Sequence, residues 1–115
     1  MNSLNSVLLE GNLVKDPDYK VTTKGTSVCN FSIACNKYFK NDEGEYVEKV
    51  DFFDIEVWSG LADNCNQYLF KGRGVRVVGR LKQDKWINKD GDTKYKIKVV
   101  GEHVEFKPHF TKKSA

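Results

Sequence analysis

Aromatic and basic side chains recur with a period of two along residues 50–58 and 74–86, the segments with the clearest chemical potential. A strand over 50–58 would point Phe52 and Trp58 to one side, together with Asp54 and Glu56. A strand over 74–86 would place on one side Arg76, Arg80, Lys82 and Trp86. An uncovered aromatic ring can stack on any flat nucleobase, while Lys and Arg attract its phosphate. The pattern therefore predicts a surface for unpaired nucleotides.

Other roles for the same residues remain open at this point. Trp86 could pack on the end of the fold, although its basic neighbours favour contact with a base. Phe52 and Trp58 could belong to the core, although their shared strand face favours exposure. The alternate side of the first strand is expected in the core or an interface, namely Phe53, Ile55 and Val57. The basic side chains can equally form a solvated face, namely Arg76, Arg80, Lys94, Lys96 and Lys98.

A chain of 115 residues with a net charge of +3 has the size of one domain. Its charge is unevenly distributed, because residues 71–98 hold ten Lys or Arg and three Asp or Glu. Residues 42–56 hold seven acidic residues and one Lys. We therefore expect a basic side and an acidic side on the surface.

The cysteines and histidines do not predict a metal site, a cofactor or a catalytic centre. Cys29, Cys35 and Cys65 form no C-x-x-C pair, which argues against a zinc site or a disulfide framework. Cys29 and Cys35 are expected to be buried thiols in a reducing interior. His103 and His109 are lone histidines without an arrangement of base and nucleophile around them, which is typical of structural or solvated histidines. With neither a signal peptide nor an apolar span, the expected location is the cytoplasm.

The segments around these residues predict an all-β fold with one helix. Strands are expected over 4–14, 27–37, 50–58, 74–86 and 94–106, with a short extended piece near 19–22. A helix is expected over 60–70, capped by Ser59 and stopped by Gly72. Residues 38–49 are expected to form a loop or hairpin tip, and 88–92 a hairpin turn. The side chains expected to face inward are Val75, Val77, Leu81, Tyr95, Ile97 and Val99.

Five short strands would leave open edges unless the sheet closes, and Gly11 and Gly79 suit the necessary bending. Five strands with a helix between the third and fourth are the order of the OB-fold, a Greek-key barrel. We expect residues 1–107 to form this domain and residues 108–115 to form a flexible basic end.

The sequence resembles the bacterial single-stranded DNA-binding protein family over about residues 5–104. The matching segments are NSVLLEGNLVKDPDYK, NFSIAC, VDFFDIEVWSGLADNCNQYLFKG, VRVVGRLKQDKW and NKDGDTKY. The most specific are GNLVKDP and GRLKQDKW. The resemblance implies an OB-fold subunit that assembles as a homotetramer and binds single-stranded DNA without sequence preference.

The resemblance also implies which residues contact DNA. The family's four stacking positions fall on Phe39, Phe52, Trp58 and Trp86. Its basic positions fall on Lys40, Lys71, Lys82 and Lys85. The acidic residues at 54, 56 and 84 depart from the family pattern and are expected to repel phosphate. The family's acidic tail, which recruits replication and repair proteins, has no counterpart in FKPHFTKKSA, so either a short form or a shortened chain is implied.

Two other classes of function are alternatives to DNA binding. The best case for an enzyme is the pair of carboxylates Asp54 and Glu56, but no phosphate-binding loop or metal-ligand pattern accompanies them. The alternative binding class is an OB-fold accessory subunit of the replication machinery that acts through protein contacts. Strong quenching of tryptophan fluorescence by oligo-dT would favour the DNA-binding class.

Overall fold

The computed structural model describes residues 3–109 as six strands and one helix. The strands are β1 (Val7–Leu13), β2 (Asp18–Val21), β3 (Ser27–Lys40), β4 (Tyr46–Trp58), β5 (Gly74–Ile87) and β6 (Thr93–Phe106), and the helix α1 is Ser59–Tyr68. The long strands are rich in β-branched and aromatic residues, which suit a pleated, half-buried surface. Residues 110–115, most of the predicted basic end, lie outside the described residues.

Five of the strands close into a barrel. The hydrogen-bonded order is β1–β5–β6–β4–β3, and β1 also pairs with β3, which completes the circle. Neighbouring barrel strands are antiparallel except for β4 and β6, which run parallel. The short β2 pairs with β3 outside this circle, at the position of the extended piece predicted near residues 19–22. The predicted OB-fold, with its helix between the third and fourth barrel strands, is therefore confirmed.

Close approach of the strands at Gly11 explains how the circle closes. Gly11 pairs with Val75 on β5, and Asn12 pairs with Ala34 on β3. At this point β1 is therefore paired with both neighbouring strands. A Cβ atom on Gly11 would lie 2.5 Å from the carbonyl oxygen of Ala34. Only glycine fits such a contact without displacing the backbone. The barrel core inside this closure comprises Leu13, Phe31, Ile33, Ile55, Val57, Val75, Val77 and Val99.

The helix packs against β3 and β4 and differs from the prediction at both ends. Ser59 is the first helical residue, with φ 58°, and Trp58 is the N-cap, although its side chain makes no hydrogen bond to the first turn of the helix. The helix ends at Tyr68, two residues early, and Gly72 lies in the following turn with φ 92°. The side chains that α1 and its C-cap bury are Ala62, Cys65 and Leu69. Within residues 3–109 no helix has the length and apolar character to span a membrane.

Two hairpins carry strand pairs beyond the barrel core. Residues 38–40 and 46–49, predicted as loop, continue β3 and β4 and leave a turn only over 41–45. In the second hairpin, β5 and β6 remain paired out to Ile87 and Thr93. Three side chains predicted to face inward are exposed there, namely Leu81, Tyr95 and Ile97. That prediction was wrong because the alternation continues where the strands have left the barrel, and both faces of the hairpin meet solvent in the single chain.

The cysteines behave as free thiols. Cys29 is fully buried, as predicted, and so is Cys65, for which no burial was predicted; burial raises their pKa values to about 11 and about 12 respectively. Cys35 is only partly buried, which corrects the prediction for this residue, and desolvation still raises its pKa. All three thiols therefore remain protonated and poorly nucleophilic near neutral pH.

Candidate nucleic-acid interface

Three of the four predicted stacking residues are uncovered side chains on β4 and β5. Phe52 is 66% exposed, Trp58 36% and Trp86 46%. Phe52 stands opposite Ala34 on β3, whose small side chain leaves the ring open. Trp86 stands opposite Lys94 on β6. We call the surface formed by these three rings and the side chains between them the aromatic face; those side chains are Asp54, Glu56, Lys82, Asp84, Lys96 and Lys98.

Ion pairs join β4, β5 and β6 between the rings. Lys96 Nζ lies 2.9 Å from Asp54 Oδ2. Lys98 Nζ lies 2.7 Å from Glu56 Oε2 and 2.8 Å from Asp84 Oδ2. These contacts are possible because β4 and β6 run side by side, with Glu56 paired to Val100. The charged side chains of three strands therefore form one connected surface.

Glu56 is the centre of this network. It is only 4% exposed, and its carboxylate accepts hydrogen bonds from Trp58 Nε1 at 2.9 Å and Lys82 Nζ at 3.2 Å, besides the Lys98 contact. Burial raises the pKa of Glu56, but hydrogen bonds from Lys98, Trp58 and Lys82 outweigh it and hold the pKa below its ordinary value of 4.5. The buried carboxylate is therefore ionised at neutral pH and compensated by two ammonium groups.

The two other acidic residues on the aromatic face are also paired. A hydrogen bond from the Ser32 hydroxyl, followed by one from Lys96, lowers the pKa of Asp54. A hydrogen bond from Lys98 is the main cause that lowers the pKa of Asp84. The three acidic residues were expected to repel phosphate, but they are matched by three lysines. Among residues 3–109, no three His, Cys, Asp or Glu side chains are grouped so as to hold a metal ion.

A groove of about 550 Å³ continues the aromatic face towards β2. Lys15, Tyr19 and Lys20 line one side of it, and Lys96 and Lys98 line the other. Lys15 and Lys20 were not among the residues predicted to contact DNA, and Asp18 also lines this side of the groove. The available signal was the fold itself, because the loop after the first OB-fold strand commonly lines the binding surface.

Phe39 occupies a different position from the other predicted stacking residues. It lies next to the last residue of β3 and, at 44%, is about as exposed as Trp86. Strand alternation puts it on the same side of the β3–β4 hairpin as Phe53, whereas Phe52 is on the other side. Lys40 and Tyr46 lie on the Phe52 side, with Lys40 Nζ 5.9 Å from the centre of the Tyr46 ring. A DNA strand would have to pass around the hairpin edge to contact both Phe39 and Phe52.

The predicted cations of the second hairpin divide between its two sides. Those on the side of Trp86 are Arg80, Lys82, Lys94 and Lys96. Of these, Lys82 and Lys96 are ion-paired, whereas Arg80 and Lys94 have no ion-pair partner among residues 3–109. Lys85 points to the opposite side, where its Nζ lies 5.9 Å from the centre of the Tyr95 ring.

The two remaining predicted cations have other neighbours. Arg76 lies between carboxylates of β1 and β6, with Nε 3.5 Å from Glu10 Oε1 and Nη1 3.3 Å from Glu105 Oε1. Lys71 is exposed in the turn after α1, and its backbone N–H donates a hydrogen bond to Asp16 at 2.8 Å. For both residues, contact with DNA stays a prediction.

The closed five-stranded barrel places the protein in the class of OB-fold modules, whose barrel faces bind oligonucleotides or oligosaccharides. Its exposed aromatic rings and lysines lie on one such face. The family model described as "Single-strand binding protein family" matches residues 4–107. The chain belongs to this family. Among residues 3–109 the described barrel accounts for nearly all of the matched segment.

Several proteins and one solved structure that are similar to this chain are named as single-stranded DNA-binding proteins. "Single-stranded DNA-binding protein 1" of Chlorobaculum tepidum is 44% identical over 98 residues, which are 84% of this chain and 60% of that protein. "Single-stranded DNA-binding protein 1" of Clostridium acetobutylicum is 41% identical, over 90% of this chain and 93% of that protein. A structure of Plasmodium falciparum SSB in complex with ssDNA superposes with a TM-score of 0.86 at 29% identity, covering 94% of this chain and 98% of that one.

Proposed function

We propose that this protein binds single-stranded DNA without sequence specificity, by stacking bases on the aromatic face and placing phosphates near the basic residues around that face. The observation that carries the proposal is the exposure of Phe52, Trp58 and Trp86 on one connected surface. Membership in the Single-strand binding protein family and the likeness to an SSB–ssDNA complex support it. Each stacked base contributes about 1–3 kcal/mol, and every base has a flat face to offer.

The charges of the aromatic face refine the mechanism. Its lysines are engaged by carboxylates, so the phosphate contacts fall to cations around it that have no ion-pair partner among residues 3–109, such as Lys15, Lys20, Arg80 and Lys94. Duplex DNA is a poor ligand because its bases are already stacked on one another. Because stacking uses the flat face that every base has and not the edges that distinguish the bases, single strands bind with little sequence preference.

A titration with poly-dT at several salt concentrations, read by tryptophan fluorescence, tests this proposal. We expect strong quenching, since Trp58 and Trp86 both lie on the aromatic face, and an affinity that falls with a log–log slope of about −0.7 per contacted phosphate. A duplex of the same length serves as the control and should bind far more weakly. Unchanged fluorescence, or equal affinity for both ligands, would refute the function.

We further propose that the protein assembles as a homotetramer and protects single strands during replication, recombination, repair or DNA uptake. Exposed apolar side chains of β4, β5 and β6 that line one groove support the assembly, namely Phe53, Leu81 and Ile97. By strand alternation Leu81 and Ile97 lie on the side of the second hairpin opposite Trp86. Exposed apolar residues grouped in this way commonly mark a protein–protein contact. Analytical ultracentrifugation checks the proposal, and a single monomeric species at micromolar concentration would refute it.

A further inference from the structure

Glu56 is an unusual residue for a surface that receives DNA, because it is acidic, almost fully buried and bonded to three donors. Two of these donors belong to Lys82 and Lys98, which stand directly opposite each other on β5 and β6. Like charges placed directly opposite across two strands destabilise a sheet. The Glu56 carboxylate relieves this repulsion, because one oxygen contacts Lys82 and the other contacts Lys98.

We propose that Glu56 is a positioning residue of the aromatic face with two effects: it fixes the orientation of the Trp58 ring, and it withholds Lys82 and Lys98 from DNA phosphate. The proposal rests on the proposed binding of single-stranded DNA. It assigns these two lysines to the internal stability of the surface rather than to the ligand. The salt dependence of binding then comes from the other cations.

The first effect follows from the geometry of Trp58. An indole has a single polar hydrogen, so one hydrogen bond determines which way the ring can turn. Trp58 Nε1 donates that bond to Glu56 Oε1 at 2.9 Å, and the two residues are two positions apart on the same side of β4. The carboxylate is itself held by the lysines and cannot follow a rotating ring. The stacking surface of Trp58 is therefore set before DNA arrives, which lowers the entropy cost of binding.

The second effect follows from the contacts of the lysines. Lys98 Nζ is within 2.8 Å of two carboxylates, and hydrogen bonds to Asp84 and Glu56 raise its pKa above the ordinary 10.5. A lysine that is already neutralised must give up its carboxylate before it can bind a phosphate. While the carboxylates hold it, it neutralises no phosphate and displaces no condensed cation from the DNA, so it adds little to the counterion release that drives binding.

The first experiment measures the orientation of Trp58 without DNA. In a Trp86→Phe background, Trp58 is the only tryptophan, and its fluorescence anisotropy and quenching by acrylamide report its mobility. We expect Glu56→Ala to lower the anisotropy and increase the quenching, and Glu56→Gln, which keeps an acceptor oxygen, to restore both values. Asp84→Asn is the matched control, since Asp84 also binds Lys98 but does not contact Trp58. Unchanged Trp58 mobility in Glu56→Ala would overturn this part of the proposal.

The second experiment measures oligo-dT affinity against salt for the full chain, with Trp86 intact. We expect Glu56→Gln to bind about two- to fivefold more tightly at low salt, with a slope steeper by about 0.7, because Asp84 still holds Lys98 while Lys82 becomes available to phosphate. Asp84→Asn should change the slope in the same direction by a smaller amount. A Glu56→Gln slope equal to that of the parent would overturn the withholding of the lysines.

Two further outcomes are distinguishable. If the parent does not bind oligo-dT at all, the proposed function fails, whereas the DNA-free mobility of Trp58 still decides whether Glu56 positions it. If thermal melts show that the Glu56 variants do not fold, Trp58→Phe removes the indole donor while keeping a stacking ring. We then expect Trp58→Phe to weaken binding while keeping the parent's salt slope, and a changed slope would contradict the separation of the two effects.

Discussion

Replacing Trp86 by alanine separates stacking on the aromatic face from a general effect of the second hairpin. Trp86 and Ile87 are neighbours on β5, and their side chains point to opposite sides of the same hairpin. Trp86 is 46% exposed and Ile87 is 70% exposed. Ile87→Ala is therefore the matched control. The Ile87 side chain is apolar and lies at the same distance from the barrel, but it is not part of the aromatic face.

The expected loss of affinity follows from the stacking of one base. Removing the ring costs about 1–3 kcal/mol of binding free energy, which is roughly a 5- to 150-fold rise in Kd. Ile87→Ala should bind within about twofold of the parent. Stability must be measured in parallel, because a tryptophan side chain of about 250 Å² that is half covered contributes at most roughly 3 kcal/mol to folding.

The assay is fluorescence anisotropy of a labelled oligo-dT, which does not depend on the tryptophan that is removed. Urea unfolding of each variant at the assay temperature shows whether all three proteins are folded there. If Trp86→Ala then binds within twofold of the parent, the ring does not stack on a base. If Ile87→Ala loses as much affinity as Trp86→Ala, the hairpin acts through its conformation, and the assignment of the aromatic face is wrong.

Three further outcomes test the geometry. Because Phe39 lies on the far side of its hairpin from Phe52, Phe39→Ala should leave binding of a short oligo-dT unchanged and weaken a long one by about 1–3 kcal/mol, as compared by anisotropy for a series of lengths. Gly11→Ala should destabilise the fold by about 1–3 kcal/mol in urea unfolding, since its Cβ would meet the Ala34 carbonyl, and a smaller loss would show that β1 can move away. The pKa of Glu56 is lower in the folded protein than its ordinary 4.5, so this group's stabilisation is complete above that value and lost as the pH falls through the folded pKa. Unfolding between about pH 6 and 3 should therefore be less pH-dependent for Glu56→Gln than for the parent, and equal profiles would contradict the shift.

Strand alternation was sufficient to predict the barrel and most of the aromatic face. It exposed Phe52 and Trp86 and buried Ile55 and Val77, because within the barrel one face of each strand meets the core. The same rule failed at Ile97, since the local pattern does not reveal where a strand leaves the barrel. Alternation with a period of two predicts which residues lie on the same side of a strand. Whether that side meets the core or solvent depends on the tertiary structure.

The ion-pair network could not be predicted from the sequence, for a physical reason. Glu56 is bonded to Lys82 and Lys98, which are 26 and 42 positions away in the chain, and the contact with Lys98 requires the parallel pairing of β4 with β6. Read singly, each acidic residue of the face opposes DNA and each lysine favours it. Which charges remain available to a ligand depends on pairs that form only when the barrel closes.

Pairing the charges within the aromatic face also suits the proposed binding of single-stranded DNA without sequence preference. Lys82 and Lys98 face each other across two strands, and without Glu56 only the carboxylate of Asp84, 3.6 Å from Lys82 and 2.8 Å from Lys98, would offset their repulsion, which a bound phosphate would relieve further. Such a surface would bind phosphate strongly at one fixed point and tie the strand to that register. With the carboxylate in place, the central surface offers mainly flat rings, which accept any base at similar cost. In the proposed mechanism the surrounding cations attract the strand, which can shift along the stacking residues because no single phosphate is held at the centre.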